Sequence, residues 1–344
     1  MTTIAVDAMG SDEGVSAIVE GVAQLRAENS QLSIVLVGDE KLLTAAMDKQ
    51  GVRDNDTRVV HAPTTVSMND KPGAALDAMP NCSILRAAQV VAEGQADALV
   101  SAGNTGAVIL ASSRHFTRLG GVRRVGLAAV HPTMERHGPH DDPFALMLDV
   151  GATLQCEAGD LIAFAAMGSA YSQVISGIDD PRVALLSNGT EAIKGTPAIV
   201  EAHRALAKRK DINFVGNVEG LDIPRGSVDV VVCEGFVGNI VLKMLEGVGD
   251  VARDLAKTAY DTKLRYKIAL GMLASGIKKV AALTDWKQYG GAPIVGFDHT
   301  VIKAHGRSNG RAIRNAIKVA AKTVERGLTE RIRDHLETAP KGDA

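Results

Sequence analysis

The stretch Ser101-Ala102-Gly103-Asn104-Thr105-Gly106-Ala107 concentrates hydroxyl, amide and glycine residues between two apolar runs. Ala98 to Val100 before it reads as the end of a buried strand, and Val108 to Ala111 after it as the start of a buried helix. Glycines let a backbone approach a ligand closely, and the free N–H groups of a helix start attract anions, so one reading is a phosphate cradle. The other is a strand-to-helix turn packed tightly for structural reasons. The turn has no lysine and neither the Walker nor the dinucleotide spacing. Three more turns of similar chemistry end apolar runs: Asp7 to Asp12, Ser187 to Glu191, and Glu234 to Asn239. In open α/β sheets such strand-end turns gather in a ligand crevice.

The elements that must position these turns follow from apolar, β-branched runs alternating with helical patterns. The runs are Ile4 to Val6, Ile34 to Val37, Ala98 to Val100, Val125 to Val130, Ala145 to Val150, Val183 to Leu186 and Val228 to Val232. The alternation predicts an α/β fold with a mostly parallel sheet flanked by helices. Scarce aromatics and abundant small aliphatics fit strands buried on both faces. A net charge of -2 argues against a general nucleic-acid binder. Cys82, Cys156 and Cys233 lie far apart without metal or disulfide spacing, as expected of reduced thiols in a cytoplasmic setting. No export signal and no window long enough to span a membrane is expected. Residues 1–246 and 284–338 are expected to form the α/β domain, 247–283 a protruding helical hairpin, and 339–344 a disordered tail. Within the hairpin, Ile268, Leu270, Met272 and Leu273 lie between Lys263, Arg265 and Lys267 on one side and Lys278 and Lys279 on the other. An apolar stretch with basic flanks suits an anionic membrane surface, and a dimer interface equally.

Seven pieces, kept in order over almost the whole chain, resemble one family, the bacterial PlsX-type phosphate acyltransferases. They are Ile4 to Gly10, Ser101 to Ala107, Met167 to Tyr171, Gly216 to Gly220, Gly235 to Asn239 with Leu242-Lys243, Tyr289 to Ala292, and Val301 to Gly306. The resemblance implies a fold similar to isocitrate dehydrogenases and phosphotransacetylases, and a homodimer. It implies transfer of a fatty acyl group from acyl-acyl carrier protein to inorganic phosphate, giving acyl phosphate for phospholipid synthesis. It further implies peripheral membrane association and delivery to a membrane glycerol-phosphate acyltransferase. The chain departs from the family pattern at Ser11, Glu234 and Thr153, and more seriously over Asp77 to Ile84, where cations and serines are expected. Arg86 is a candidate substitute for one of those cations.

That chemistry needs a cation and fixed donors for phosphate, and more donors for the thioester oxyanion, but no protein nucleophile, cofactor or metal. Lys194 is the first candidate for the phosphate cation, with a solvated surface lysine as its alternative. Asn104, Thr105, Asn188 and Asn239 are candidate neutral donors. His305 is a candidate donor to the carbonyl or to the leaving thiolate, with a satisfied structural histidine as its alternative. Lys194, Asn239 and His305 are thus the expected catalytic residues. Asp7, Gly10, Ser101, Gly103, Asn104, Thr105, Gly106, Asn188, Gly189, Glu191, Gly235, Gly238 and Lys243 are the expected binding residues. Asp7 and Asp12 would repel phosphate unless they orient a lysine or cap a helix. Arg123 and Arg124, or the 263–279 cations, are candidates for docking the acidic carrier.

Three other readings compete. A phosphotransacetylase-like enzyme would use acyl-CoA, and a non-catalytic membrane-associated scaffold would keep only the fold. An NAD-dependent dehydrogenase would need Gly247 to Ala252 as its fingerprint, but that GxGxxA match sits in a helical pattern. His131, Glu135, His137, His140, Asp141 and Asp142 have the irregular spacing of a polar loop, not of a metal site.

Overall fold

Strands alternate with helices along nearly the whole chain in the computed structural model, which describes residues 1–337 apart from 29–30, 53–54, 139–140, 263–264, 270, 274–275 and 277–289. The first half comprises β1 (Thr3–Asp7), α1 (Gly14–Ala27), β2 (Ser33–Gly38), α2 (Glu40–Gln50), β3 (Thr57–His61), α3 (Pro72–Ala78), α4 (Ser83–Ala92), β4 (Ala98–Ser101) and α5 (Thr105–His115). A hairpin of β5 (Gly126–His137) and β6 (Asp142–Leu148) leads to α6 (Ala158–Tyr171), which ends in a π-turn at Ser172–Ser176. There follow β7 (Val183–Leu186), α7 (Pro197–Leu206), β8 (Phe214–Val218), α8 (Asp222–Arg225), β9 (Val230–Val232) and the long α9 (Gly235–Thr262). The chain closes with β10 (Ala292–Val295), β11 (Thr300–Lys303), α10 (Gly310–Glu325) and α11 (Leu328–Glu337).

Eleven strands form one sheet in the order β3-β2-β1-β4-β11-β10-β5-β6-β9-β7-β8. The β3-β2-β1-β4-β11 half and the β6-β9-β7-β8 half are each parallel, while β11-β10, β10-β5 and β5-β6 are antiparallel. The two parallel halves therefore run in opposite senses. Sheet twist of about 20–25° per strand accumulates to roughly 100° over the five steps from β4 to β9, which lets strand ends of both halves reach a shared cleft.

Each half is covered by helices because its strands are apolar on both faces. Ala5, Val35, Leu99 and Val301 pack with α4 and α5, while Ile4, Val6, Ile34, Leu36 and Ile302 pack with α1 and α10. In the other half Leu146, Leu148, Val183 and Val230 pack with α6, α7 and α11. Their opposite neighbours Met147, Ala184 and Val231 are covered by α8 and by the start of α9.

Two expectations change here. The helical pattern at 240–262 is not interrupted at Gly247 or Gly249: α9 is continuous for 28 residues from Gly235. Glycine costs a helix about 1 kcal/mol relative to alanine, too little to break one anchored at its start. The 246/247 boundary thus falls inside α9, and so does the GxGxxA match. The polar segment His131 to Asp142 is an antiparallel hairpin rather than a loop, with His137 paired to Asp142 across it; His140 lies outside the described residues. His137 is buried and packs with Asp229 and Arg182. Among the described residues no group of three metal-ligating side chains occurs.

Candidate active site

The site begins with the two glycine turns of the first half, which are packed back to back. A Cβ on Gly10 would lie 2.7 Å from the Gly103 Cα, so this approach requires glycine at position 10. The Asp7 carboxylate, 2% exposed, accepts from the Ser101 hydroxyl at 2.7 Å, and that hydroxyl accepts from the Gly103 N–H at 3.0 Å. Burial pushes Asp7 above the ordinary carboxylate range, opposed by its hydrogen bonds and by Lys303. Asn104 is used structurally. Its Oδ1 accepts from Ala107 N–H as the cap of α5, while its Nδ2 donates to the Met68 carbonyl at 3.1 Å and ties down the 67–70 loop. Gly106 packs on Pro72.

A cleft of about 410 Å³ opens above these turns. Asp12 and Thr105 come from the first two turns, and Lys303 to Arg307 from the end of β11. Asn239, Leu242, Lys243 and Glu246 project from one face of α9, and Leu127, Ala129, Val130 and Val150 form an aliphatic wall. Lys303 is the central cation, with 7% of its surface exposed. Burial pushes its ammonium down to about 8, while Asp7 and Asp12 act to retain the charge. The ammonium donates to the Ala304 carbonyl, and neither aspartate accepts the cap hydrogen bond of α1. Burial and then Lys303, Arg307 and Lys243 lower the His305 pKa. Asp12 N–H and the Ser11 hydroxyl both donate to the Gly306 carbonyl, fastening the β11 loop to the first turn. Ser11 thus contributes a side-chain bond of its own to the fastening.

On the opposite wall, Asp149 fixes the start of α9. Its Oδ1 accepts from the N–H groups of Leu127, Gly151 and Ala152, each at 2.9 Å, and its Oδ2 accepts from Thr153 N–H and hydroxyl. The Thr153 hydroxyl in turn accepts from Gly235 N–H at 2.9 Å, so threonine links the carboxylate to the helix start. A Cβ on Gly238 would meet the Asp149 carbonyl oxygen at 2.0 Å. Gly235 and Gly238 are thus packing glycines that aim Asn239 and Lys243 into the cleft.

The cleft gathers three of the four strand-end turns. Asn188, Glu191 and Lys194 are exposed on the third, which does not line it; Gly189 is buried there against Glu191 and Lys194. None of Asp77 to Ile84 lines it either: Asp77 pairs with Arg114 at 2.5 Å and Ser83 is buried. Arg86 donates to Gln89 at 2.7 Å. Arg123 is held by Asp160 and Glu157, whereas Arg124 is exposed. Ile268, Met272 and Leu273 are exposed, and Leu270 lies outside the described residues. Lys303 is the residue that sequence reasoning passed over. Its signal was a lysine ending the apolar run Val301-Ile302, two residues before His305.

The fold is that of the phosphotransacetylases. The structure aligns with the phosphotransacetylase of Streptococcus pyogenes over 94% of both chains, with a TM-score of 0.65 and 15% identity. A branched-chain phosphotransacylase of Enterococcus faecalis V583 aligns over 94% of this chain and 99% of its own, with a TM-score of 0.56 and 17% identity. Sequence narrows the class. Residues 2–331 match the family described as "Fatty acid synthesis protein". The phosphate acyltransferase of Pelotomaculum thermopropionicum is 40% identical over 335 residues, covering 97% of this chain and 95% of that one. The chain belongs to the PlsX-type phosphate acyltransferases, an acyltransferase family of fatty acid and phospholipid synthesis.

Proposed function

We propose that this chain transfers a fatty acyl group from acyl-acyl carrier protein to inorganic phosphate without a covalent enzyme intermediate. The observation that carries this reading is a single cleft with a buried cation, Lys303, at one side and an aliphatic wall at the other. Phosphate rests against Lys303, oriented by Asp7 and Asp12, and the acyl chain against the wall. A phosphate oxygen attacks the thioester carbonyl carbon, the oxyanion is held by donors such as Asn239 Nδ2, and the C–S bond breaks. The hydrogenphosphate proton passes to the departing thiolate, giving acyl phosphate and free carrier thiol. His305, kept neutral by burial and its cationic neighbours, is placed to relay that proton. The Thr105 hydroxyl and Lys243 complete the phosphate surroundings.

Release of carrier thiol from acyl-acyl carrier protein tests the proposal. Release dependent on inorganic phosphate, with stoichiometric acyl phosphate, supports it; release unaffected by phosphate overturns it. Lys303→Met and Lys194→Ala apportion the phosphate charge. The first is expected to raise the KM for phosphate and lower kcat, and unchanged kinetics of the second would remove Lys194 from the site.

We further propose that the working unit is a cytoplasmic homodimer resting on anionic membrane, where acyl phosphate passes to a membrane glycerol-phosphate acyltransferase. Support comes from the exposed apolar stripe of α9 and from exposed Ile268, Met272 and Leu273. Among the described residues no helix is long and apolar enough to cross a membrane. Vesicle flotation with Met272→Glu/Leu273→Glu checks the contact; undiminished binding would assign this segment to the subunit interface.

A further inference from the structure

We propose that the acyl chain of the donor lies in the aliphatic slot between β5 and α9, and that Ala129 sets the length of chain the slot admits. This rests on the reading that the enzyme takes a fatty acyl donor. Side chains two apart on a strand share a face, which aligns Leu127, Ala129 and His131. Leu127 and Ala129 are both half-buried and pack on the cluster of Met147 and Val150, with Ala129 paired to Met147 across β5 and β6, and Val241, Leu242 and Leu245 of α9 pack on the same cluster. Leu127, Ala129, Val150 and Leu242 also line the cleft that holds Lys303, so the slot and the cation share one cavity. β10 pairs with β5 at Gly126 and Leu127, and Gly291 and Ala292 line the cleft beyond that pairing. The slot thus runs outward along β5 from the reacting end.

On this face Ala129 is the smallest side chain, set beside Leu127, Val150 and Leu242, while Val130 alternates to the opposite face. A slot is deepest where its lining is smallest, and filling that position shortens what fits. His131 comes next on the same face. It is not among the residues that line the cleft, whose last member along this face of β5 is Ala129. A chain that stops short of Ala129 is indifferent to this residue, whereas a longer one is sensitive to it.

The experiment is kcat/KM of the full-length enzyme at saturating phosphate for octanoyl, dodecanoyl and palmitoyl carrier-protein thioesters. Ala129→Leu adds three carbons to the wall. Each buried methylene is worth about fourfold, so long-chain kcat/KM is expected to fall by roughly 50-fold. The octanoyl value should stay within about twofold of native on the same methylene scale. A chain-length profile parallel to native, whether lowered or not, overturns the assignment. Leu242→Ala, which widens the slot from α9, is the independent variant should Ala129→Leu unfold. It should shift the optimum to longer chains, and an unshifted optimum likewise overturns the assignment. Failure of the underlying reading has a different signature, since the native enzyme would then show no phosphate-dependent release with any of the three donors.

Discussion

Lys303 combines two opposed properties in one side chain. A buried ammonium is costly, and its depressed pKa states that cost: the difference between 10.5 and about 8 corresponds to about 3 kcal/mol. Because the folded-state pKa lies below the unfolded one, the folded chain binds fewer protons between pH 8 and 10.5. The penalty is fully present below pH 8, and stability rises with pH through that window. Lys303→Met is therefore expected to raise the Tm at pH 7 while lowering activity. Asp7 loses only the last and smallest of its compensating contributions. In catalysis the sign reverses. The charged amine holds phosphate, so kcat/KM for phosphate should fall tenfold per pH unit above about 8, and Lys303→Met should abolish that limb and lower the plateau about 100-fold. Calorimetry at pH 7 and 9.5 with a pH profile of initial rates checks both. A native profile flat to pH 9.5 would deny Lys303 its role. A trade of stability for a poised charge is common at functional sites.

At the scale of elements, α9 is aimed by a knot that no local pattern announces. Asp149 and Thr153 are four residues apart but Gly235 lies 82 residues beyond Thr153, and one carboxylate with a relayed hydroxyl fastens β5, the 150–153 loop and the helix start. Gly238→Ala forces a Cβ into the Asp149 carbonyl and should cost about 2 kcal/mol or more by displacing α9. It should also remove Asn239 and Lys243 from the cleft. Denaturant unfolding should show the loss, and activity at a permissive temperature should fall further than in Gly247→Ala, where no neighbour lies within 4 Å. The same contrast explains what was legible in the sequence. Ile34 to Val37, Ala98 to Val100 and Val183 to Leu186 were read as strands because both their faces are apolar. β3, β8, β10 and β11 are not read so: Arg58 and His61 interrupt the first, Gly216 the second and Pro293 the third, while the fourth offers only Val301 and Ile302 between Thr300 and Lys303. Missing β11 concealed Lys303 as a strand-end cation. Lys194 was visible for the opposite reason, since it stands in an isolated turn bounded by glycines.

At the scale of the molecule, opposed parallel halves joined by an antiparallel centre explain why strand-end turns alone under-described the cleft. A single parallel sheet would gather all four turns at one edge. Here twist brings three together, and β5 supplies the aliphatic wall from its middle rather than its end. Among the described residues α8 and the start of α9 pack on the cluster that carries this wall, and α9 then runs on past it. A 28-residue helix is about 42 Å long at 1.5 Å per residue, and only its start is anchored. Along its outer face Val237, Ile240, Met244, Val248, Val251 and Leu255 recur at three- and four-residue intervals, the last three 63%, 59% and 66% exposed. Such a stripe matches the seam of a helix pair, and a second copy of the chain supplies an identical stripe. If α9 pairs in a homodimer, Val251→Glu/Leu255→Glu should convert the enzyme to monomers in sedimentation velocity without lowering the melting of the α/β domain, because neither residue touches its core. A dimer that persists in this variant would place the subunit contact elsewhere and leave the stripe to the membrane. Loss of donor turnover together with dimerisation would show that α9 needs its partner to hold the cover over the acyl slot.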